Sequence, residues 1–295
     1  MENSAYQCVG PELYRDIAER TQGDIYMGVV GPVRTGKSTF IKRFMELMVL
    51  GGLATDDQAG RSNRERIIDE LPISGAGRMI MTTQPRFIPN EAASIALDEN
   101  TRLRVRLVDC VGYMVRGAQG VSDGGALRMV RTPWFDHDIP FEQAAELGTR
   151  KVIAEHSTLG IVVTTDGSVA DIPRAAYEEP EERVIGELKR LGKPFVVVLN
   201  CAEPASDAAI SLAGELSQKY DTPVMPLNVL NATQDDMHML LERVLYEFPI
   251  TRVHFDTPDW LGALPDGHPL IDEITGAVRS ALKDASRMRD RDAIM

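Results

Sequence analysis

The sequence predicts an α/β fold, a mostly parallel sheet with helices on both faces. Three observations carry that prediction. Apolar runs of strand length alternate with amphipathic helical stretches between residues 25 and 247, the pattern of successive βαβ units. Two of the runs, GIVVTT (160–165) and PFVVVLN (194–200), are apolar along nearly their whole length, as strands covered on both faces are. A further strand runs directly into GPVRTGKS (31–38) and then into a helical pattern, the setting of a phosphate-binding turn.

Taken in order, the chain opens with a short helix at 11–21, a strand at 25–31 and a helix at 37–49. Residues 50–78 read as irregular and partly helical, with short extended pieces around 79–88. A strand at 102–109, RLRVRLVD, alternates arginine with apolar residues, so one of its faces meets solvent or it lies at a sheet edge. The glycine-rich segment 110–141 reads as loop, followed by a helix at 142–156, the strand at 160–165, a helix at 180–191 and the strand at 194–200. A helix at 206–220, a strand at 223–227 and a helix at 233–247 complete a domain expected to span 1–250. Residues 251–295 form an extended stretch and a helix from about 268. That is too little to bury a core alone, so this segment docks on the main domain or begins a further one.

Bulk properties narrow the function. The 295 residues carry a net charge of −12 and a pI of about 5.0, which disfavours non-specific binding to nucleic acid or to an anionic membrane. The small basic clusters (Arg102, Arg104, Arg106; Arg287, Arg289, Arg291) are interrupted or flanked by acidic residues. Three widely spaced cysteines, Cys8, Cys110 and Cys201, suggest neither a disulfide framework nor a zinc site. The longest apolar runs are far short of the roughly 20 residues that span a bilayer, and MENSAYQCVGPELYRD lacks the basic start and apolar core of a signal peptide. A cytoplasmic setting is the expectation. The five histidines show no metal-ligand spacing, and Asp136-His137-Asp138 reads as loop.

The chemistry concentrates in a few stretches. GPVRTGKS matches the phosphate-loop pattern G-x-x-x-x-G-K-[ST] of P-loop NTPases. Gly31 and Gly36 permit the tight turn, Lys37 neutralises β- and γ-phosphate charge, and Ser38 offers a hydroxyl to Mg²⁺. Gly31, Arg34, Thr35, Gly36, Lys37, Ser38 and Thr39 are the candidate phosphate-side residues. DCVG (109–112) ends the next long strand, placing Asp109 where a carboxylate meets Mg²⁺ through water and Gly112 where an N–H can meet the γ-phosphate. MTTQP (81–85) lies between the two motifs and offers Thr82 or Thr83 as a threonine that senses Mg²⁺ and the γ-phosphate. The expected cofactors are therefore ATP and Mg²⁺, with Ser38, Thr83 and Asp109 as metal-side candidates. Ras-like proteins place a water-orienting glutamine after D-x-x-G; here the residue is Tyr113, so turnover is slow or helped from elsewhere. Arg116 and Arg131 lie in the glycine-rich segment and could give that help, but each reads more simply as a surface arginine.

The base-reading stretch departs from the guanine pattern. Asn-Lys-x-Asp would end the strand at 194–200, but the residues are Asn200, Cys201, Ala202 and Glu203. A carboxylate there pairs with guanine N1–H and N2–H₂, and adenine offers no N1–H. With the lysine gone and the acid one methylene longer, the sequence leans toward ATP, while Asn200 and Glu203 remain candidate base-side residues. Asp166 in TTDGS (164–168) reads as a turn residue near the nucleotide edge.

On these residues the chain resembles the stage IV sporulation protein A family, the morphogenetic ATPases of the bacterial spore coat. The resemblance lies in DIAERTQGDIYMGVVGPVRTGKSTFIKRFMELMVL (16–50), MTTQPRFIP (81–89), VRLVDCVGYMV (105–115), RTPWFDHDIPF (131–141), HSTLGIVVTTDGS (156–168) and GKPFVVVLNCAEP (192–204). It implies a fold derived from translation-factor-like GTPases that has turned to ATP, with Lys37, Asp109 and Thr82/Thr83 matching the Walker A lysine, the Walker B aspartate and the threonine sensor. It also implies hydrolysis coupled to self-assembly into static polymers, forming the coat's basement layer on the forespore surface within the mother cell. A small amphipathic membrane-anchoring peptide and other spore coat proteins are the implied partners. Family members continue well beyond this length, so residues 251–295 read as the start of a truncated middle domain. The competing readings are a GTPase switch, a nucleotide-stabilised structural protein with negligible turnover, and, more weakly, a small-molecule phosphotransferase.

Overall fold

The computed structural model describes residues 24–53, 58–72, 84–96, 102–118, 122–123, 126–251, 253, 257–265, 267–283 and 285–293. The helix expected at 11–21 and the Thr82/Thr83 pair lie outside the described residues. Two compact units divide the chain, residues 1–244 and 245–295.

The first unit is built on a six-stranded sheet. Its strands are β1 (Asp24–Val30), β2 (Arg86–Ala96), β3 (Arg102–Asp109), β4 (Leu159–Thr165), β5 (Phe195–Asn200) and β6 (Val224–Leu227). The spatial order is β6-β5-β4-β1-β3-β2. All neighbouring pairs are parallel except β2 with β3. Its helices are α1 (Lys37–Phe44), α2 (Gln58–Glu70), α3 (Phe141–Lys151), α4 (Glu178–Arg190), α5 (Asp207–Tyr220) and α6 (Gln234–Tyr246), the last running just past the unit's end. The sheet order reverses direction at β1: the chain leaves it toward β3 and later returns past it to β4. Right-handed crossovers then put α1 on one face and α3, α4 and α5 on the other. The α/β P-loop fold expected from the sequence is the fold observed.

Burial follows from these layers. Every residue of β4 and β5 is buried, as their unbroken apolar runs require. Gly28 in β1 and Gly160 in β4 let Ser157 and Leu188 respectively approach the sheet to within what would be 2.8–2.9 Å of a Cβ. Helix α1 continues through a π turn (Met45–Val49), and α3 through another (Val152–His156).

At the far edge the structure decides between two alternatives and corrects one expectation. Strand β3 is not an edge strand, since β1 and β2 flank it. Its arginine alternation reflects one solvated face instead: Leu103, Val105 and Leu107 are buried, while Arg104 pairs with Asp24 at 3.2 Å and Arg106 lies 4.5 Å over the Phe87 ring. The true edge is β2, which extends to Ala96 rather than ending near residue 88. Its register breaks between Ile88 and Ala93, around Pro89, and edge strands tolerate proline because they need not donate on both sides. Pairing with β3 overrides the weak strand propensity of its alanine-rich second half.

In the second unit, α7 (Pro269–Leu282) is the main helix. The buried carboxylate of Glu247 takes ion pairs from Arg287 and Arg289, and Met288 N–H donates to the Phe248 carbonyl at 2.9 Å. Two arginines of the terminal charged run are thus spent within this unit. Among the described residues no helix is long and apolar enough to cross a membrane.

Candidate nucleotide site

The site lies at the carboxyl ends of β1, β3, β4 and β5, beside the reversal in strand order, where open α/β sheets bind ligands. β1 ends at Val30, and residues 31–36 turn into α1. Gly36 is the N-cap of α1 in the left-handed region, φ 97°. A Cβ there would lie 2.5 Å from Asn200 Nδ2, so a side chain is excluded by space as well as by conformation. The first N–H groups of α1 have no partner within the helix, the arrangement by which helix N-termini in phosphate loops bind anions. Thr35 is fully buried, its hydroxyl donating to the Pro32 carbonyl at 3.0 Å. Thr39 is half-buried one residue beyond Ser38. Arg34 takes φ 63°, a region uncommon for non-glycine residues.

Lys37 is buried, its ammonium donating to the Pro32 carbonyl at 2.6 Å. Burial pushes its pKa down, opposed by the nearby Cys110 and Asp109 groups. Asp109, the last residue of β3, accepts the Ser38 hydroxyl on Oδ2 at 3.1 Å. Its other oxygen, Oδ1, is buried without a hydrogen-bond partner. Burial holds the Asp109 pKa up, while Lys37 and the Ser38 hydroxyl act against it. A buried carboxylate oxygen without a donor is costly, and a cation would satisfy it. Among the described residues no group of three or more His, Cys, Asp or Glu gathers that could hold a metal alone. One hydroxyl and one carboxylate suit Mg²⁺, which takes few protein ligands and fills its shell with phosphate oxygens and water. The residues present therefore fit Mg²⁺ brought in with a nucleotide.

Gly112 departs from its expected role in this arrangement. Its N–H donates to Thr149 Oγ1 on α3 at 3.2 Å, and Thr149 in turn donates to the Ala145 carbonyl at 2.8 Å. The amide expected at the γ-phosphate is thus directed to α3. Gly112 packs so closely that a Cβ would lie 2.2 Å from the Gly31 carbonyl and 2.6 Å from Lys37 Nζ. Tyr113 then joins the phosphate loop by backbone: its N–H donates to the Gly31 carbonyl at 3.3 Å and its carbonyl accepts Val33 N–H at 2.9 Å. The ring is fully buried, with the Arg183 guanidinium 4.7 Å from its centroid. Tyr113 is a core residue, not a group facing the phosphates. Arg116 and Arg131 are 93% and 71% exposed, each at 3.9 Å from an acidic residue, as surface arginines are.

At the base end, Asn200 Nδ2 donates to the Thr35 carbonyl at 2.9 Å and Oδ1 accepts Val229 N–H at 3.2 Å. Its amide ties the phosphate loop to the segment after β6. Cys201 is fully buried and its thiol is pushed up to about 11, chiefly by burial with the charge of Asp166 adding to it. The Glu203 side chain is exposed; its carbonyl accepts Ser206 N–H at 3.1 Å and the Ser206 hydroxyl at 2.8 Å. Ser206 caps α5 by accepting Ala209 N–H. Asp166 builds a turn, accepting Ser168 N–H at 2.9 Å and its hydroxyl at 2.6 Å, and Ser168 Oγ accepts Ala202 N–H at 2.9 Å. Asn228 Nδ2 reaches the Ala202 carbonyl at 3.0 Å.

Comparisons with known proteins identify the family. The model of the stage IV sporulation protein A ATPase domain matches residues 10–249. This chain belongs to the stage IV sporulation protein A family. It is 49% identical over 284 residues to the stage IV sporulation protein A of Bacillus anthracis, covering 96% of this chain and 57% of that protein. The Bacillus subtilis (strain 168) protein is 48% identical with the same coverage. The chain thus spans little more than half the length of these relatives. Among solved structures, the translation elongation factor SelB from Methanococcus maripaludis in complex with the GTP analogue GppNHp aligns at a TM-score of 0.40 and 15% identity, covering 77% of this chain and 35% of that one.

In this family member the structure brings Gly31, Thr35, Gly36, Lys37, Ser38, Asp109, Gly112 and Asn200 to one end of the sheet. Several contributors lacked a local sequence signal. Thr149 sits mid-helix and Asn228 follows a short strand. Ile172 and Tyr177 pack with Val33 and Val115 into a small apolar cluster beside the phosphate loop. Arg174 and Tyr220 hold the fully buried Glu181 at the end of β4, and only the fold brings these residues together.

Proposed function

We propose that this chain is the nucleotide-binding part of an ATPase that binds and hydrolyses Mg-ATP, and that turnover drives self-assembly of a spore-coat basement layer on the forespore surface. The observation that carries it is the Lys37–Asp109–Ser38 group, in which Lys37 is buried and one buried Asp109 oxygen is left without a donor. Lys37 would neutralise the β- and γ-phosphates. Asp109 and Ser38 would hold Mg²⁺, which when bound offsets charge on the phosphate oxygens. Membership of the sporulation family supports the setting: a mother-cell location, self-association as a polymer, and docking to a small amphipathic membrane peptide and other coat proteins. Thr82 and Thr83 remain the proposed threonine sensor.

The test is Mg²⁺-dependent phosphate release by Asp109→Asn. The variant keeps the side-chain shape and removes the charge. It is expected to bind ATP yet release phosphate at least about 100-fold more slowly, within the range that loss of one catalytic electrostatic group causes. Release at the wild-type rate would remove Asp109 from the reaction.

A further inference from the structure

Among the described residues, the reaction proposed above has so far been given no positive charge for the phosphoryl group beyond Lys37 and Mg²⁺. Tyr113 is buried away from the phosphates, and Arg116 and Arg131 are spent at the surface. One arginine remains in the phosphate loop itself.

Arg34 stands between two clamped residues. Val33 is buried in the cluster with Val115, Ile172 and Tyr177. Thr35 is fixed through its hydroxyl to Pro32 and through its carbonyl to Asn200. The loop holds Arg34 at φ 63°, where glycine sits freely and an arginine sits against its own preference. The strain falls on a long cationic side chain at the centre of an anion-binding loop. Arg34 is half-buried, and among the described residues it forms no ion pair with a carboxylate. Beside it, the ring of Tyr177 is fully buried, and its hydroxyl lacks a hydrogen-bond partner. The charge of Arg34 acts on that phenol, opposing the upward push of burial. A guanidinium on a flexible stem thus rises from the phosphate loop near enough to a buried phenol to act on it by its charge.

We propose that Arg34 is a catalytic residue that supplies, from the same chain, the guanidinium that stabilises the phosphoryl group in transfer, with Tyr177 as the positioning residue that holds it ready. This inference rests on the hydrolase reading. In the step, the water oxygen bonds to the γ-phosphorus. The bond from that phosphorus to the β–γ bridging oxygen breaks, and its electron pair leaves on ADP. Of the two water protons, one stays on the released phosphate and the other passes to solvent. Arg34 offsets the charge that gathers on the transferring and bridging oxygens, the part arginine fingers play in related chemistry. A planar fork does this where a lysine does it less well.

The test uses the whole chain with Mg²⁺ and three readouts: ADP affinity, formation of the ADP–aluminium fluoride complex, and phosphate release from ATP. Arg34→Gly removes the side chain and relieves the backbone. It is expected to melt no lower than wild type and to bind ADP within about threefold of it. It should form no aluminium fluoride complex and release phosphate on the order of 10³-fold more slowly, the scale attributed to such an arginine. Arg34→Lys should recover only a small part of the rate, and Tyr177→Phe should slow release without changing ADP affinity. Arg34→Gly with wild-type turnover or a wild-type aluminium fluoride complex would overturn the proposal, as would full activity in Arg34→Lys. Failure of wild type itself to bind ADP would instead defeat the hydrolase reading and the arginine role with it. The two failures are therefore distinguishable.

Discussion

The phosphate end and the base end of the same site have different fates in this molecule. At the phosphate end the side chains the chemistry needs are held together: Lys37 is buried and donates to the Pro32 carbonyl, the half-buried Ser38 donates to Asp109, and one Asp109 oxygen has no donor. At the base end, Cys201 has sunk into the core and Glu203 stands in solvent with its backbone serving a helix cap. Asn200 sits between them and explains the difference. Its amide bonds the Thr35 carbonyl and Val229 N–H, so it holds the phosphate loop whichever base is present. Asn200 thus has an architectural duty that does not depend on the base.

That division can be broken most forcefully at Asn200. Asn200→Ala would leave a buried carbonyl and a buried N–H without partners. At roughly 1–3 kcal/mol for each group, a stability loss of about 2–6 kcal/mol is expected in denaturant unfolding, together with weaker ATP binding. A change below about 0.5 kcal/mol would show that the asparagine does not hold the loop.

A smaller effect sharpens the base end. The folded Cys201 thiol sits at about 11, above its ordinary value of 9.0. The folded state therefore favours the neutral thiol: the stability it contributes is complete below pH 9 and is lost as pH rises through about 11. Alkylation followed peptide by peptide should find Cys201 protected at pH 8 until the protein unfolds. Its unfolding midpoint should fall between pH 9 and 11, less so in Cys201→Ala. Rapid native labelling would place the thiol at the surface, where a guanine-covering lysine would stand.

Much of this was legible in the sequence because the signals were local. GPVRTGKS after an apolar strand fixes a turn and a helix N-terminus within eight residues, and the run 194–200, short and rich in valine, reads as a buried strand. What was illegible depends on distant partners. Strand β2 is extended by β3 against its own alanine-rich composition, and β3's arginines mark a solvated face of an inner strand. Gly112 turns its amide to Thr149, 37 positions away, and no spacing rule links the two. Tyr113 was read as a replaced catalytic glutamine, but its burial under Arg183 shows what the phenol does instead: it packs the core while its backbone braces the phosphate loop.

The central claim is that the phosphate end is complete and the base end no longer reads guanine. Phosphate release with Mg-ATP and Mg-GTP side by side tests it most directly, with Lys37→Ala as the blank and Glu203→Ala as a second arm. The account predicts release that depends on Lys37, faster turnover with ATP, and an ATP-to-GTP ratio that Glu203→Ala shifts by less than about threefold, since an exposed carboxylate discriminates weakly. Preference for GTP, lost by tenfold or more in Glu203→Ala, would contradict it and show that the longer acid still reads the base.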